Sequence, residues 1–301
     1  MKTSPTLQRA WRTLIEHVEI PWLRSAKLWI MLAAMAFVLT WGGYEIWDRY
    51  GLLVGFFTSL ALISFIFYYD DWKMAARFPA NELEGRDPYG VLRLTRESAR
   101  RLSMPMPRVL EVPSATPFVF SVGLTRSRLK IFLSTSAIQK FTPDELRALL
   151  TFELVRFRTG LTRTTTAAAA FTEIWLTIMG TLDAAFLLRL VFRRKLYRYC
   201  PGPFTWLSLP FVGLFLRLVI RGGRLRSADR RTGEITGNSR ALAEALIKLD
   251  AYNKTLPLDL TLSEATHFVV NPLARFEWSR WTTIHPSIRS RVRALTGQFP
   301  L

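Results

Sequence analysis

Two long apolar runs dominate the first quarter of the chain. LWIMLAAMAFVLTWGGY (Leu28 to Tyr44) and GLLVGFFTSLALISFIFYY (Gly51 to Tyr69) are joined by the short EIWDRY. Each is long enough for a helix to cross a hydrocarbon core of about 30 Å, the first only just, so the pair predicts a membrane hairpin over residues 26–72. Ahead of it, Leu7, Trp11, Leu14, Ile15 and Val18 share one helical face behind a Ser4 cap and Pro5, and Pro21 ends the pattern. Residues 1–25 therefore read as an amphipathic helix, lying in the membrane interface or packed on the protein itself.

After Asp70 the pattern changes to that of a soluble domain. A helical stretch leads to three short β-rich runs, RVLEVP, FVFSVG and LKIFLS. TPDELRALLTFELVRFRTG follows, with Thr142 as cap, Pro143 at the first helical position, Glu145 three residues after the cap, and Leu146, Leu149 and Leu150 at helical spacing. Residues 164–220 form a second, rougher apolar hairpin around the basic loop RRKLYRYCPGP, interrupted by Glu173, Asp183, Arg189 and Arg217. Ionisable groups at membrane depth face partners or cavities, so Glu173, Asp183 and Arg217 are expected to form ion pairs there, Glu173 lying nearer Arg217 or Arg221. The basic loop argues for a hairpin that is partly inserted or packed on protein. The remaining residues, 221–301, contain a capped helix with Leu242, Ala245, Leu246 and Leu249 on one face, and a Pro-initiated helix near the end. The fold class is thus mainly α with a small β-sheet (α+β), in a multi-pass membrane protein whose soluble domain comes in two parts, 73–163 and 221–301.

Charge sharpens this picture. The 301 residues are half hydrophobic yet carry a net charge of +18. Basic residues flank the first hairpin (Arg9, Arg12, Arg24 and Lys27 before it, Lys73 and Arg77 after it), which places both its ends in the cytoplasm. The expected location is integral to a membrane, a bacterial inner membrane, with the soluble domain facing the cytoplasm. No basic stripe carries interleaved stacking aromatics, so nucleic acid is not an expected partner. The single cysteine, Cys200, excludes an intramolecular disulfide and any cysteine-based zinc cluster.

The chemistry centres on FELVR, residues 152 to 156, which has the outline of H-E-x-x-H. In that motif two histidines four apart share a helix face and hold one zinc, with the glutamate as base. Here Phe152 has no donor atom, and Arg156 brings a permanent cation where a cation should bind. Only Glu153 remains.

The surroundings nevertheless resemble the HtpX-like membrane zinc metallopeptidases, relatives of the CAAX prenyl protease, over roughly Asp87 to Arg293. FVFSVG is similar to the N-A-F-A-x-G-like motif of the strand bordering the cleft, with Phe118 in place of the Asn. RLRSADRRTGEITGNSRALAEALIKL resembles R-E-x-x-A-D followed by L-x-G-N-x-x-A-L, and NPLARFEWSRWTTIHPSIRSRVRAL resembles the closing N-P-L and H-P-x-x-x-R-I. The resemblance implies a zincin-like domain, Leu225 at the position of a third, glutamate, zinc ligand, Asp229 as the group orienting a ligand histidine, and His285 as a stabiliser of the transition state.

With Phe152, Arg156 and Leu225 at the ligand positions, zinc is expected to be absent, and Glu153 and His285 to be vestigial. His17, His267 and His285 are far apart in sequence, and EATH (Glu264 to His267) lacks the other carboxylates of a di-iron site. The guanidinium of Arg156 is expected to lie between Glu153 and Asp229. The function so read is non-catalytic: a binding, regulatory or complex-subunit protein whose strand Phe118, Val119, Phe120, Ser121, Val122, Gly123 holds an extended peptide by main-chain hydrogen bonds. Its partner would be a membrane protein or an active paralogue. The alternatives are an active membrane zinc endopeptidase with unrecognised ligands, and a structural membrane protein binding anionic lipid.

Overall fold

The computed structural model describes residues 26–84, 87, 89–190, 202–220, 222–274 and 284–297. The amphipathic helix expected over residues 1–25 and the loop holding Cys200 lie outside them. Helix α1, Ala26–Arg77, is two apolar limbs joined at a break where Trp47 (φ −142°) and Asp48 (φ 48°) leave helical geometry. Asp tolerates positive φ better than most residues, which suits it to the turn. The limbs fold back on each other so closely that a Cβ on Gly51 would meet the Gly43 carbonyl, and one on Gly55 would meet the backbone of Leu39 and Thr40. The outer faces carry Phe37, Val38, Trp41, Phe56, Phe57 and Leu60, all exposed. The stretch Leu32–Ile66 is long and apolar enough to cross a membrane.

The domain beyond it is mostly helical around a four-stranded mixed sheet of order β1-β2-β4-β3: β1 Asn81–Glu82, β2 Arg108–Val112, β3 Val119–Val122 and β4 Lys130–Ser134. β2 and β4 pair in parallel, Val109 opposite Ile131, while β3 runs antiparallel to β4 with Phe120 opposite Phe132. Strand alternation sorts the two faces. Val109, Val119, Ile131 and Leu133 join the main core with helices α2 (Val91–Arg101) and α4 (Pro143–Arg158), separated in the chain by the short α3 (Thr135–Lys140). Phe118, Phe120 and Phe132 face the other way, onto Phe78 and Phe268. Within that cluster Phe120 and Phe132 stack at 4.9 Å.

Helix α5, Leu161–Leu190, differs from a simple membrane limb. Its first part, Thr162 through Ala170 apart from Arg163, is buried in the domain, with Thr164 and Thr165 hydroxyls bonded to the carbonyls of Gly160 and Thr162. Helices α6 (Pro203–Val219) and α7 (Gly222–Thr236) together reach membrane-spanning length and apolarity only as a pair bent by 43°. Helix α8, Ser239–Thr255, packs on α4 and α7, the short α9 (Leu262–Ala265) on α5, and α10, Ile288–Thr296, closes on α7 and α8.

The expected ion pairs of the second hairpin are arranged otherwise. Glu173 binds Lys73 of α1 at 2.8 Å and accepts from Ser263 Oγ, so these partners come from other elements; Arg221 lies outside the described residues. Asp183 is fully buried and accepts the backbone N–H groups of Phe204 and Thr205 at 2.8 and 2.9 Å, capping α6 from outside. A carboxylate at that helix end satisfies two otherwise orphaned donors, which explains its place without a counter-ion. Arg217 sits on the exposed face of α6.

The glycine contact in α1 predicts a sharp asymmetry. Gly51→Val should lower the melting temperature of the detergent-solubilised protein, since overpacking costs about 1–3 kcal/mol. Gly42→Ala, where an added Cβ meets nothing within 4 Å, should leave it unchanged.

Candidate functional site

Helix α4 begins with a complete capping box: the Thr142 side chain accepts from Glu145 N, and the Glu145 carboxylate accepts from Thr142 N. Lys248 of α8 then binds Glu145 at 2.7 Å, fixing the helix start against its neighbour. This anchoring carries residues 152 to 156 into the centre of the domain, where Phe152, Glu153 and Arg156 are all within 1% of full burial.

Glu153 is held from two sides. Arg156, one turn on, donates from Nη1 to Oε1 at 2.9 Å and to Oε2 at 3.2 Å. Ser121 lies on the same face of β3 as Val119, the face turned to α4, and its hydroxyl donates to Oε2. Burial raises the carboxyl above its usual 4.5, and Arg156 and Ser121 pull the other way.

Asp229 is not part of that pair. Its carboxylate, 1% exposed on α7, receives both edges of the Arg291 guanidinium from α10, Nε to Oδ2 at 2.8 Å and Nη2 to Oδ1 at 2.6 Å. The expected bridge from Arg156 to both carboxylates is therefore corrected: Arg156 serves Glu153, and Arg291 serves Asp229. The fork of Arg291 fits a carboxylate bidentately and fills both acceptors, leaving no call for a second cation. Phe152 lies between the two pairs, 5.2 Å from the Arg291 guanidinium carbon and 5.9 Å from that of Arg156, within cation–π range. Leu225 is 2% exposed and packs in the main core.

Both arginines also reach the segment 267–269. Arg156 Nη1 donates to the His267 carbonyl at 2.9 Å, and Arg291 Nη1 to the Val269 carbonyl at 2.6 Å. Between them the Phe268 carbonyl takes His285 Nε2 at 2.8 Å, which places the proton of that imidazole on Nε2. Three consecutive carbonyls are thus gripped by three side chains. Phe268 in turn bridges Phe120 in antiparallel fashion on the outer edge of β3. The expected peptide-binding strand, Phe118 through Gly123, is consequently interior, every residue of it buried, and its outer edge carries the chain's own segment.

These positions do not fit a zinc ion. Arginine has no lone pair to give, phenylalanine and leucine have no donor atom, and the one carboxylate at hand is engaged by a guanidinium. Among the described residues no group of three or more His, Cys, Asp or Glu is placed to hold a metal. The fold does bring His285 onto the segment that contains His267, distant in sequence: its Nε2 bonds the neighbouring Phe268 carbonyl. EATH has a local explanation: Glu264 completes a capping box with Thr261 and lies 3.7 Å from Lys73. Sequence reading missed two features. One is Arg291: an arginine among polar residues on a short closing helix is a candidate for a buried carboxylate. The other is Ser121, a position in the expected peptide-binding strand, which alternation with Val119 turns to α4.

The arrangement is that of a mostly helical domain with a small mixed sheet. The solved Ste24p of S. mikatae shares the fold, with a TM-score of 0.51 at 16% identity over 92% of this chain; this chain spans 65% of the length of that one. In sequence it is similar to proteins named Protease HtpX homolog. That of Pelotomaculum thermopropionicum is 25% identical over 278 residues, 91% of this chain and 99% of the relative. That of Syntrophobacter fumaroxidans is 26% identical over 283 residues, 88% and 96% respectively. No family model matches the chain. The chain is HtpX-like along about nine-tenths of its length.

Two predictions follow from the buried charges. Arg156→Ala strands Glu153 without a counter-ion and should cost about 3–5 kcal/mol in a denaturation experiment, part of which Arg156→Ala with Glu153→Gln should recover. The second concerns acid. Burial holds both imidazoles down to about 3, Arg156 and Lys73 adding to the effect at His267, Arg291 and Arg156 at His285, where the Phe268 carbonyl opposes it. A depressed folded pKa means the unfolded chain binds the extra proton, so this stability is complete above about pH 6.5 and lost as pH falls toward 3. Glu153 acts in the opposite sense, so the imidazole is isolated by comparison with His267→Gln. Below about pH 6.5 the wild type should lose up to roughly 1.4 kcal/mol per pH unit more than the variant, and parallel curves would refute the assignment.

Proposed function

We propose that this protein is an integral-membrane relative of the HtpX-like proteases that binds rather than cuts. One observation carries the reading: the second ligand position of the metal helix holds a buried guanidinium, bonded to Glu153, the carboxylate that the motif would use as base. A dication there would sit against a permanent cation at low dielectric, a repulsion far larger than in water. Without a metal nothing lowers the pKa of a water or polarises a scissile carbonyl, so the inherited hydrolysis has no engine.

The apolar hairpin of α1 supplies the anchor, its outward aromatics suited to lipid and its basic flanks to the cytoplasmic side. In this reading the domain serves as a regulator, adaptor or complex subunit for a membrane protein or for an active paralogue. A peptide partner reaches the β3 edge by displacing residues 267–269, which makes binding conditional on release of the three carbonyl bonds rather than open at all times.

Its relatives' name supports a second reading, an active peptidase that draws its ligands from elsewhere. Metal analysis of the protein purified from membranes separates the two. Well under one zinc per chain and no cleavage of unfolded membrane substrates is the expected result; about one tightly held zinc per chain would return the protein to the hydrolases.

A further inference from the structure

Helix α1 leaves helical geometry only at Trp47 and Asp48, so its second limb runs unbroken to Arg77. At 1.5 Å per residue that limb is a rod of about 40 Å, which outreaches a hydrocarbon core of about 30 Å. Its last turns carry two kinds of side chain at helical spacing. Lys73 and Arg77 are four residues apart on one face; Met74 and Phe78 are four apart on the next, the Phe78 N–H still bonded to the Met74 carbonyl. Both faces grip one stretch of chain, residues 259–268.

The polar face holds the start of α9. Lys73 Nζ lies 3.2 Å from Ser263 Oγ, 3.5 Å from Thr261 Oγ1 and 3.7 Å from Glu264 Oε1, besides its 2.8 Å pair with Glu173 of α5. Arg77 donates from Nη2 to the Asp259 carbonyl, and its Nε lies 3.9 Å from Glu264. The Lys73 side chain is only 14% exposed, so its attractions are screened less than those of a surface pair. The apolar face holds the far end of the stretch. Met74 and Phe78 pack in one cluster with Phe118, Phe120 and Phe268, the Phe78 ring centre 5.4 Å from that of Phe120 and 6.5 Å from that of Phe268.

Between these grips the chain is one hydrogen-bonded unit. Thr261 and Glu264 cap each other, the His267 N–H donates to the Glu264 carbonyl, and the Phe268 N–H to that of Ala265. A shift of Glu264 is therefore passed to His267 and Phe268, whose carbonyls are held by Arg156 and His285 and which cover the β3 edge. The hairpin is built to move as one body, since its limbs meet backbone to backbone at Gly43, Gly51 and Gly55. A bilayer thicker or thinner than its apolar length tilts it. We propose that the foot of the hairpin is a clamp on the cover of the β3 edge, with Lys73 as its polar jaw and Phe78 as its apolar one, so that the tilt of α1 in the bilayer controls exposure of the edge. That an uncovered edge takes a peptide rests on the binding reading above; the clamp itself does not.

The test reads hydrogen exchange by mass spectrometry on the full-length protein in phosphatidylcholine bilayers. Lys73→Gln should speed exchange over residues 261–270 and 118–123 about tenfold or more, while Lys73→Arg keeps most of the protection. Lys254→Gln, which removes an exposed pair with Asp250 on α8, should change neither segment. In the wild type, replacing dimyristoleoyl by dierucoyl chains should change exchange in both segments roughly threefold or more, and Lys73→Gln should abolish that dependence. Equal exchange in wild type and Lys73→Gln overturns the clamp, and a wild type indifferent to chain length overturns its control by the hairpin. If Lys73→Gln loosens the whole domain, the half-exposed Arg77→Gln decides in its place, faster exchange confined to the two segments being the expected result. A fluorescent peptide copying ATHFVV, residues 265–270, separates the clamp from the binding reading. It should bind Lys73→Gln about tenfold more tightly than the wild type, because the open form is more populated. Faster exchange with no peptide bound to either protein keeps the clamp and defeats the binding reading; equal peptide binding with unchanged exchange does the reverse.

Discussion

Glu153 and Arg156 stand one helical turn apart, both sealed from solvent, and neither charge can be there without the other. Taking either group alone out of water costs several kcal/mol, and the pair holds only because each hydrogen-bonding site finds a use. Ser121 completes the carboxylate and the His267 carbonyl engages the guanidinium. The same requirement is met a second time by Asp229 and Arg291, again with a backbone carbonyl as an additional acceptor. Two cations and two anions leave this interior formally neutral. A metalloprotein needs the opposite, a concentration of lone pairs awaiting a positive charge. Phe152, Arg156 and Leu225 instead surround this centre with a ring, a guanidinium and an aliphatic chain, so the buried charge is compensated internally.

Much of this was legible in the sequence because the governing signals are local. The capping box at Thr142, the break between the two limbs of α1 and the three β-rich runs each depend on residues within a few positions of one another. The identity of Arg156 alone indicates a salt bridge with Glu153, since residues three apart on a helix share a face. Partner choice across the fold was not legible. Arg156 and Arg291 are both available to Asp229 in principle, and the packing of α10 on α7 decides between them. Glu173 finds Lys73, a hundred residues earlier in the chain, because α1 packs against α5. Asp183 shows the limit of reading charge as ion pairing: in a helical hairpin a carboxylate can be satisfied by the free N–H groups of the next helix.

The β3 edge shows the same limit for strands. Alternation correctly marks Phe118, Phe120 and Val122 as one face and Val119 and Ser121 as the other, but no local pattern reveals that a segment nearly 150 residues later lies along the strand. An unpaired edge is a liability in any sheet, open to adventitious pairing. This chain covers it with its own backbone and fastens the cover with side chains, leaving the bridge at Phe268 as a single ladder contact.

That fastening ties the edge to the charged centre. The groups that compensate Glu153 and Asp229 are the ones that hold the His267 and Val269 carbonyls, and His285 supplies the bond between them. Opening the edge therefore perturbs both ion pairs together, since each arginine loses an acceptor that its buried N–H group requires. The free energy of the buried pairs therefore sets the cost of lifting residues 267–269 from the β3 edge.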